Sequence, residues 1–586
     1  MPQSMATVNV ISKLFRLRLW LRKVTDEHQV ATSGVLALLC SFGSLLLFRF
    51  SFLATDDVQI AMIAAGGYGT NGSQLLRFPN VLIGYLLKAL YQFVPSMPWY
   101  SIVMVVGYAM AFWALHYVVL HSGKSRSLGL VLMCALEITG TSLFTYTLVA
   151  FVCAAAGMLL LCSASTWNEY VAAFLLLSFG SLVRFPGFVV GVGIGAAILM
   201  VRLIQTPSRQ RIITIGVLCA VLATFFACDA WNSHVYQQNT HDWNALTRQD
   251  NNHRAIDYEP VSYDTHQSEV DELGWSENDL DTYYQFIMTD FDTYSVENVG
   301  KLSAINSVTE KYELNPVKIV SSMVDEALFG WWDRSKPMFY IIYLALATLM
   351  IMNRKSATRR DLLLFFGTMA LALGAIAALY VRQRTVIQAS APIFIAGLMY
   401  LVTIMCGVST GTSDRRFFNR QKLVQTTITI VTLLSMAIIT CMFGSLLFWA
   451  PATPRKDFNT DMSAWLDKHP DAFIVSGDPT WINAYAPVFE VSVPSHFDRG
   501  IYAETWSIDG QSWYDFLNRH NVDPEHLLLE LAENDQVYYM PMSWTTETKL
   551  HLVITFIEEH SGRSVNIEPV QTFDATHRLY KLHYTD

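Results

Sequence analysis

The sequence carries little charge for its length. Charged residues account for 15% of its 586 positions, whereas 52% of the residues are hydrophobic, and the mean hydropathy is positive. A soluble domain has about a quarter charged residues, so this balance indicates that most of the chain lies in a lipid bilayer. The formal net charge of −9 gives no indication of a nucleic-acid partner.

Cysteine is absent from the hydrophilic parts of the chain. All eight cysteines fall in apolar runs, so the sequence predicts neither a disulfide framework nor a CxxC metal site. They are better suited to packing as small buried residues. The eight are Cys40, Cys134, Cys153, Cys162, Cys219, Cys228, Cys406 and Cys441.

The apolar runs predict a polytopic, all-α membrane bundle of about eleven spans, because about 20 apolar residues suffice to cross a bilayer. Basic clusters between them place the N-terminus in the cytoplasm and the C-terminus outside. Residues 81–94 are short and bounded by prolines, so we expect them along the outer surface. The predicted spans are residues 31–53, 99–120, 128–144, 146–163, 170–182, 188–201, 212–228, 338–352, 361–380, 385–406 and 424–449.

The patterning divides the chain into three parts: a basic interfacial segment (1–30), a transmembrane domain (31–450) and a C-terminal extracytoplasmic α/β domain (451–586). Two hydrophilic outer loops, 54–98 and 229–336, interrupt the transmembrane domain. In the tail, short apolar runs predict strands, and periodic stretches predict helices. The predicted strands are 472–475, 536–540 and 578–582, and the predicted helices are 480–486 and 550–559.

Asp56 and Asp57 follow the first apolar run directly and precede a glycine-rich turn. Two carboxylates at the end of a span are costly unless they face water, a cation or a cavity. They could act as a general base, as cation ligands, or as one of each. The alternative is a solvated cap for a helix over residues 58–65, a position where Asp is favoured in any case.

Four arginines lie on the predicted outer side, where basic residues are disfavoured. Such arginines could bind an anionic group, a phosphate above all, through charge-assisted hydrogen bonds. The alternative is snorkelling to lipid headgroups. Pro392, in the span that follows the last pair, could open a cavity at that depth. The four are Arg77, Arg184, Arg382 and Arg384.

Two further carboxylates occupy unusual positions. Glu137 lies inside an apolar span, where a carboxylate indicates function, although a structural role through hydrogen bonds near Thr139 or Thr141 explains it equally well. Asp229 opens the second outer loop and could be a cation ligand or a helix cap.

These features together resemble the GT-C superfamily of polytopic glycosyltransferases, especially the branch of protein O-mannosyltransferases, aminoarabinose transferases and arabinofuranosyltransferases. The acidic pair of the first outer loop is matched by Asp56-Asp57. Three further motifs are similar: a Thr-Tyr-Thr patch at a span start, a basic residue and proline between two short spans, and arginines before a proline-bearing span. Here they are Thr145-Tyr146-Thr147, Arg184-Phe185-Pro186, and Arg382-Gln383-Arg384 with Pro392.

The resemblance implies transfer of a sugar, with inversion, from a polyprenyl-phosphate donor to a glycan, lipid or protein acceptor at the outer face of a bacterial cell membrane. In that interpretation Asp56 or Asp57 is the catalytic base. Arg382, Arg384 and Arg184 bind the donor phosphate, and Glu137, Tyr146 and Arg77 are candidate accessory residues. A divalent cation held by Asp56, Asp57 and Asp229 is a further option, although the chemistry does not require one.

Two interpretations from other classes stay open. A lipid-linked-sugar transporter would also show outer arginines and an intramembrane carboxylate, but it should carry charges along a path through both leaflets. The scarcity of charges within the spans favours the enzyme. A non-catalytic envelope-assembly protein would use its α/β tail to bind a partner.

Overall fold

The computed structural model describes residues 27–67, 72–122, 126–255, 261–309, 316–329, 342–344, 346–347, 359–381, 386–406, 455–506, 509–543 and 545–585. It is predominantly helical, with one small sheet near the C-terminus. The helices up to residue 406 are α1 (Gln29–Phe48), α2 (Thr55–Ala65), α3 (Val81–Phe93), α4 (Trp99–Ser122), α5 (Arg126–Thr141), α6 (Tyr146–Ser163), α7 (Trp167–Val183), α8 (Phe185–Ile194), α9 (Ala196–Gln205), α10 (Ser208–Tyr236), α11 (Thr240–Ala255), α12 (Tyr263–Asp271), α13 (Glu277–Tyr284), α14 (Val296–Thr309), α15 (Pro316–Phe329), α16 (Arg359–Val381) and α17 (Ile387–Met405).

Six of these helices are long and apolar enough to cross a bilayer, so the chain is a multi-pass membrane protein. They are α1, α4, α6, α10, α16 and α17. Helices α8 and α9 form a seventh span if they are counted together, with a bend of 56° between them. The described residues therefore support six or seven spans, and the eleven predicted ones are not confirmed. The predicted spans 338–352 and 424–449 lie wholly or mostly outside the described residues.

Helix α6 forms the centre of the bundle. It is almost completely buried and packs against α4, α7, α8 and α17. Small residues allow this close packing: a Cβ at Gly191 of α8 would lie only 2.9 Å from the Cβ of Ala154 on α6. The first residue of α6, Tyr146, thus lies at one end of a tightly packed core.

Helices occupy two positions in the segments predicted to lie outside. Residues 81–93 form the helix α3, which is buried along one face and exposed along the other; its position along the outer surface stays a prediction. Asp229, expected to open the second outer loop, instead lies within α10, which continues to Tyr236. It therefore caps no helix, and the start of the second outer loop at this position stays a prediction. The helix extends because residues 229–236 include no proline or glycine to end it.

The C-terminal part is an α/β domain built on a five-stranded sheet. Its strand order is β2-β1-β3-β5-β4; β1 runs parallel to β2 and β3, and β5 is antiparallel to β3 and β4. Its elements are α18 (Arg455–Lys468), β1 (Phe473–Ser476), β2 (Gly500–Tyr502), α19 (Gln511–Arg519), α20 (Leu527–Glu533), β3 (Val537–Met540), α21 (Thr546–Ser561), β4 (Val565–Thr572) and β5 (Arg578–Tyr584).

The predicted elements of this domain are mostly present. The three predicted strands correspond to β1, β3 and β5, and the predicted helix 550–559 lies within α21. The predicted helix 480–486 is wrong, because only a short 3₁₀ turn, Pro479–Ile482, forms there. Asn483 then adopts φ of +55°, which ends the turn.

The C-terminal domain docks on the end of the bundle where α1 ends and α2 begins. The amide of Val488 donates to the carbonyl of Phe50 at 2.9 Å, and Ser51 forms a β-bridge with Pro487. The hydroxyl of Ser101, near the start of α4, donates to the carbonyl of Val488 at 2.5 Å. The tail thus covers the region that contains the acidic pair.

Candidate active site

Asp56 and Asp57 lie in the first turn of α2, where the helix dipole favours carboxylates. Successive side chains on a helix point about 100° apart, so the two residues face different surroundings. Asp57 points into the protein and has no exposed surface. Asp56 is half-buried and lines a cavity.

Asp57 is surrounded by hydrogen-bond donors from two membrane helices. It accepts from the hydroxyls of Tyr100 and Thr145, both at 2.7 Å, and from the amide of Tyr146 at 2.8 Å. Burial raises the pKa of Asp57 to about 7, although these hydrogen bonds oppose the shift. Asp57 therefore joins α2 to α4 and α6, and it does not line the cavity.

The cavity has a volume of about 390 Å³ and lies between the end of the bundle and the C-terminal domain. Asp56 lines it from the membrane side and accepts a hydrogen bond from the indole Nε1 of Trp506 at 2.8 Å. Its other lining residues come from α2, the first and second outer loops, the α7–α8 break, α17 and the tail. They are Thr55, Gln59, Phe78, Arg184, Gln249, Asn252, Phe286, Met288, Val386, Gln388, Pro479, Tyr485, Tyr502, Glu504, Thr505, Trp506 and Met542.

Arg184 lies at the break between α7 and α8, where its extended backbone separates the two helices. Its guanidinium carbon lies 4.9 Å from the ring centroid of Phe78 and 5.1 Å from that of Tyr146. It also donates a hydrogen bond to the Tyr146 hydroxyl. These contacts hold the cation at the wall of the cavity that Asp56 lines, and they give Tyr146 a role in positioning Arg184.

Arg382 and Arg384 lie outside the described residues. The first described residue after them, Val386, lines the cavity, and so does Gln388. Their binding of a phosphate stays a prediction.

Arg77 does not belong to the cavity wall. Its guanidinium binds Asp509 of the tail, donating to the backbone carbonyl at 2.6 Å and to the carboxylate at 3.0 Å. Arg248 of α11 pairs with the same carboxylate at 2.7 Å, and all three side chains are at most 7% exposed. We therefore assign Arg77 a role in joining the first outer loop to the tail.

Glu137 is fully buried within α5. It accepts from the hydroxyl of Ser41 at 2.5 Å and pairs with Nε2 of His116 at 2.8 Å. The predicted partners Thr139 and Thr141 bond elsewhere, Thr139 to its own helix backbone and Thr141 also to Ser44 of α1. Glu137 thus connects α5 to α1 and α4 and is not among the residues that line the cavity.

Among the described residues, no group of three or more His, Cys, Asp or Glu side chains could hold a metal ion. Asp229 is exposed on α10 and does not join Asp56 and Asp57 in such a group. The carboxylate triad suggested by the sequence is therefore not assembled, and a divalent cation at this site stays a prediction.

The sequence interpretation missed most of the polar groups in the cavity. Glu504, Thr505 and Trp506 come from the tail, and Gln249 and Asn252 come from the second outer loop. The hydroxyl of Thr505 donates to the Gln59 amide oxygen at 2.5 Å, which fixes the tail beside α2. Nothing in the local sequence identifies these residues, because the site forms only when segments about 450 positions apart meet.

No protein-family model and no curated protein matches the chain. Among solved structures, ArnT from Cupriavidus metallidurans in the apo state aligns with 94% of this chain and with 97% of its own, at 11% identity and a TM-score of 0.38. A TM-score this low carries no argument about fold or activity, so both rest on the residues of this chain.

Proposed function

We propose that the protein is a GT-C-type membrane glycosyltransferase that moves a sugar from a polyprenyl-phosphate donor to an acceptor at the extracytoplasmic face. One observation carries the proposal: a carboxylate, Asp56, and a guanidinium, Arg184, line the same cavity at one end of the membrane bundle. A base for the acceptor and a cation for the departing phosphate are the two groups that this transfer requires.

The division of the acidic pair assigns the base. Asp56 lines the cavity, whereas Asp57 is enclosed by three donors. In the proposed reaction Asp56 takes the proton of the acceptor hydroxyl, and the hydroxyl oxygen bonds to the anomeric carbon. The bond between that carbon and the phosphate oxygen breaks with inversion, and the lipid phosphate leaves with its electron pair.

The phosphate would be stabilised by Arg184 and by Arg382 and Arg384, which precede the cavity-lining residue Val386 in the sequence. A guanidinium presents several donors in a fixed planar arrangement that matches phosphate oxygens. Stacking on Phe78 and Tyr146 holds the Arg184 fork in place before the substrate arrives. Electrostatic stabilisation from such a preorganised group acts where negative charge develops.

The transporter alternative has less support. The intramembrane carboxylate that it would use, Glu137, is hydrogen-bonded to Ser41 and His116 within the packed bundle. The non-catalytic alternative leaves unexplained why the tail closes over a cavity that holds an acid and a cation. The polyprenyl-phosphate donor, the acceptor at the extracytoplasmic face and the bacterial origin are all parts of this proposal.

The test is turnover by the purified protein in detergent. It is given a panel of radiolabelled polyprenyl-phosphate pentoses and hexoses, with an envelope extract as the acceptor source, and release of polyprenyl phosphate is measured. Asp56→Asn should lower turnover by about 10²–10⁴-fold, the usual contribution of a general base. Asp229→Asn is the matched control, because Asp229 is exposed on α10, and it should retain activity.

Two results would overturn the proposal. One is full activity in Asp56→Asn. The other is movement of intact donor across proteoliposomes by the wild-type protein without any conversion, which would identify a transporter.

A further inference from the structure

The sheet of the C-terminal domain has a topological switch point beside the cavity. Strand β1 is flanked by β2 on one side and by β3 on the other, and it runs parallel to both. The chain therefore leaves β1 for one neighbour and later returns to the other. In open sheets with this arrangement, ligands bind in the crevice beyond the carboxyl ends of the strands.

The residues at those carboxyl ends are cavity residues. Pro479 follows β1, Tyr502 ends β2, and Met542 follows β3. Glu504 and Trp506 follow β2 and line the cavity as well. The crevice of the C-terminal domain and the cavity at the end of the bundle are therefore one space, and Asp56 lines it from the side of the bundle.

Glu504 is the acidic group that the sheet edge contributes. Its carboxylate accepts from the Tyr539 hydroxyl at 2.6 Å and pairs with the Lys549 ammonium at 2.8 Å. It lies against Gly477, where an added Cβ would approach the carboxyl group to 2.1 Å. The side chain of Glu504 is thus fixed from three directions.

The Glu504 carboxylate can accept more hydrogen bonds than the two that Tyr539 and Lys549 donate. An ionised carboxylate offers about four acceptor positions, and Tyr539 and Lys549 take two of them. Because Lys549 compensates the charge, Glu504 does not require a cationic ligand. Hydroxyl groups of a neutral molecule are the donors that suit it, and the ring of Trp506, which lines the same cavity, supplies an apolar face.

We infer that Glu504 and the switch-point crevice form the sugar-binding half of the site, in which Glu504 accepts hydrogen bonds from neighbouring hydroxyls of a neutral sugar ring. The inference rests on the proposed sugar transfer for its ligand class. It adds Glu504, from the C-terminal domain, to the residues proposed to bind the substrate. The ring belongs either to the acceptor or to the donor sugar, and the kinetics of the donor distinguish the two.

The first arm of the test is independent of catalysis. Binding of a panel of methyl pentosides and methyl hexosides to the full-length protein in detergent is followed by saturation-transfer NMR. At least one glycoside should bind the wild-type protein, and Glu504→Gln and Gly477→Ala should each weaken that binding by about tenfold. Gly477→Ala acts through displacement of the carboxylate while keeping Glu504 itself.

One control variant and a check on folding keep the result interpretable. Glu490→Gln changes a tail glutamate whose side chain is 50% exposed and pairs with Arg49, and it should bind like the wild-type protein. Glu504→Gln keeps one acceptor oxygen, and Lys549 also donates to the Gln285 carbonyl, but the substitution removes the charge that compensates the buried ammonium. Thermal unfolding in detergent is therefore measured for this variant, and if it fails to fold, Gly477→Ala carries the test alone.

The second arm measures KM for the labelled polyprenyl-phosphate sugar. A raised KM for the donor in Glu504→Gln places the donor sugar at Glu504. Weakened glycoside binding with an unchanged donor KM places the acceptor there. Two results would overturn the inference. One is wild-type turnover and wild-type glycoside binding in both Glu504→Gln and Gly477→Ala. The other is a wild-type protein that binds no glycoside. Since binding is measured without transfer, failure of the proposed reaction remains distinguishable from failure of this site.

Discussion

Asp57 has no exposed surface and accepts hydrogen bonds from Tyr100, Thr145 and Tyr146, whereas its neighbour Asp56 bonds to Trp506 and lines the cavity. Adjacent residues in one helical turn thus have separate tasks. Asp57 fixes the start of α2 against the bundle, and that contact sets the direction in which Asp56 points. The variants of the two residues should therefore behave differently.

Replacement of Asp57 should test a positioning role. Asp57→Asn keeps a carbonyl oxygen for the Tyr146 amide and the Tyr100 hydroxyl, so we expect turnover within about tenfold of wild type. Asp57→Ala leaves three donors without a partner, which should cost about 1–3 kcal/mol for each buried group. Thermal unfolding in detergent and the turnover assay measure the two effects. Loss of activity in Asp57→Asn together with retention in Asp56→Asn would reverse the assignment.

The same residue predicts how stability depends on pH. The folded-state pKa of Asp57 is raised to about 7 by burial, whereas the unfolded carboxyl has a pKa near 3.9. Between these values the folded state holds a proton that the unfolded state has released, so the contribution of Asp57 to stability falls as pH rises from about 4 to about 7. Unfolding measured across this range should show the trend, and Asp57→Asn should flatten it. An unchanged slope in the variant would contradict the shift.

Arg184 should require both its charge and its planar shape. Arg184→Gln removes the charge and should lower turnover by about 10²–10³-fold, as expected for loss of one group that stabilises developing charge. Arg184→Lys keeps the charge but loses the planar guanidinium that lies over the rings of Phe78 and Tyr146. We therefore expect a loss of turnover smaller than that of Arg184→Gln. The matched control is Arg202→Lys, because Arg202 bonds to the Ala164 carbonyl beyond the far end of α6. Equal activity of Arg184→Lys and wild type would show that the fork is not used.

The positions of most membrane-domain helices could be predicted from the sequence, because a long apolar run in a bilayer forms a helix. The number of spans could not: the described residues support six or seven, and the eleven predicted ones are not confirmed. The break at Arg184 was also visible, since the following Pro186 cannot continue an existing helix. The strands β1, β3 and β5 were predicted from apolar runs, but β2 has only three residues and no such signal.

The composition of the cavity could not be predicted in this way. Only docking of the tail brings Trp506 into contact with Asp56 and places Glu504 in the same cavity, and no local pattern encodes a contact across 450 positions. The split between Asp56 and Asp57 depends on which face of α2 packs inward, and a two-residue motif does not contain that information. Arg77 looked equivalent to Arg184 in the sequence, but its partner Asp509 is 432 positions away.

The buried contact of Arg77 and Arg248 with Asp509 leads to the last prediction. Removal of one member of a buried ion cluster leaves uncompensated charge and typically costs about 3–5 kcal/mol. Asp509→Asn should therefore loosen the docking of the tail, with faster proteolysis of the tail and a lower unfolding temperature.

The exposed pair of Arg49 and Glu490 provides the control for that experiment, because it also joins the end of α1 to the tail. Its side chains are 63% and 50% exposed, and pairs of this kind contribute about 0–1 kcal/mol. Glu490→Gln should thus leave proteolysis and unfolding nearly unchanged. If the two variants behaved alike, the buried cluster would not be what holds the tail over the cavity, and the contacts at Phe50, Ser51 and Ser101 would have to suffice.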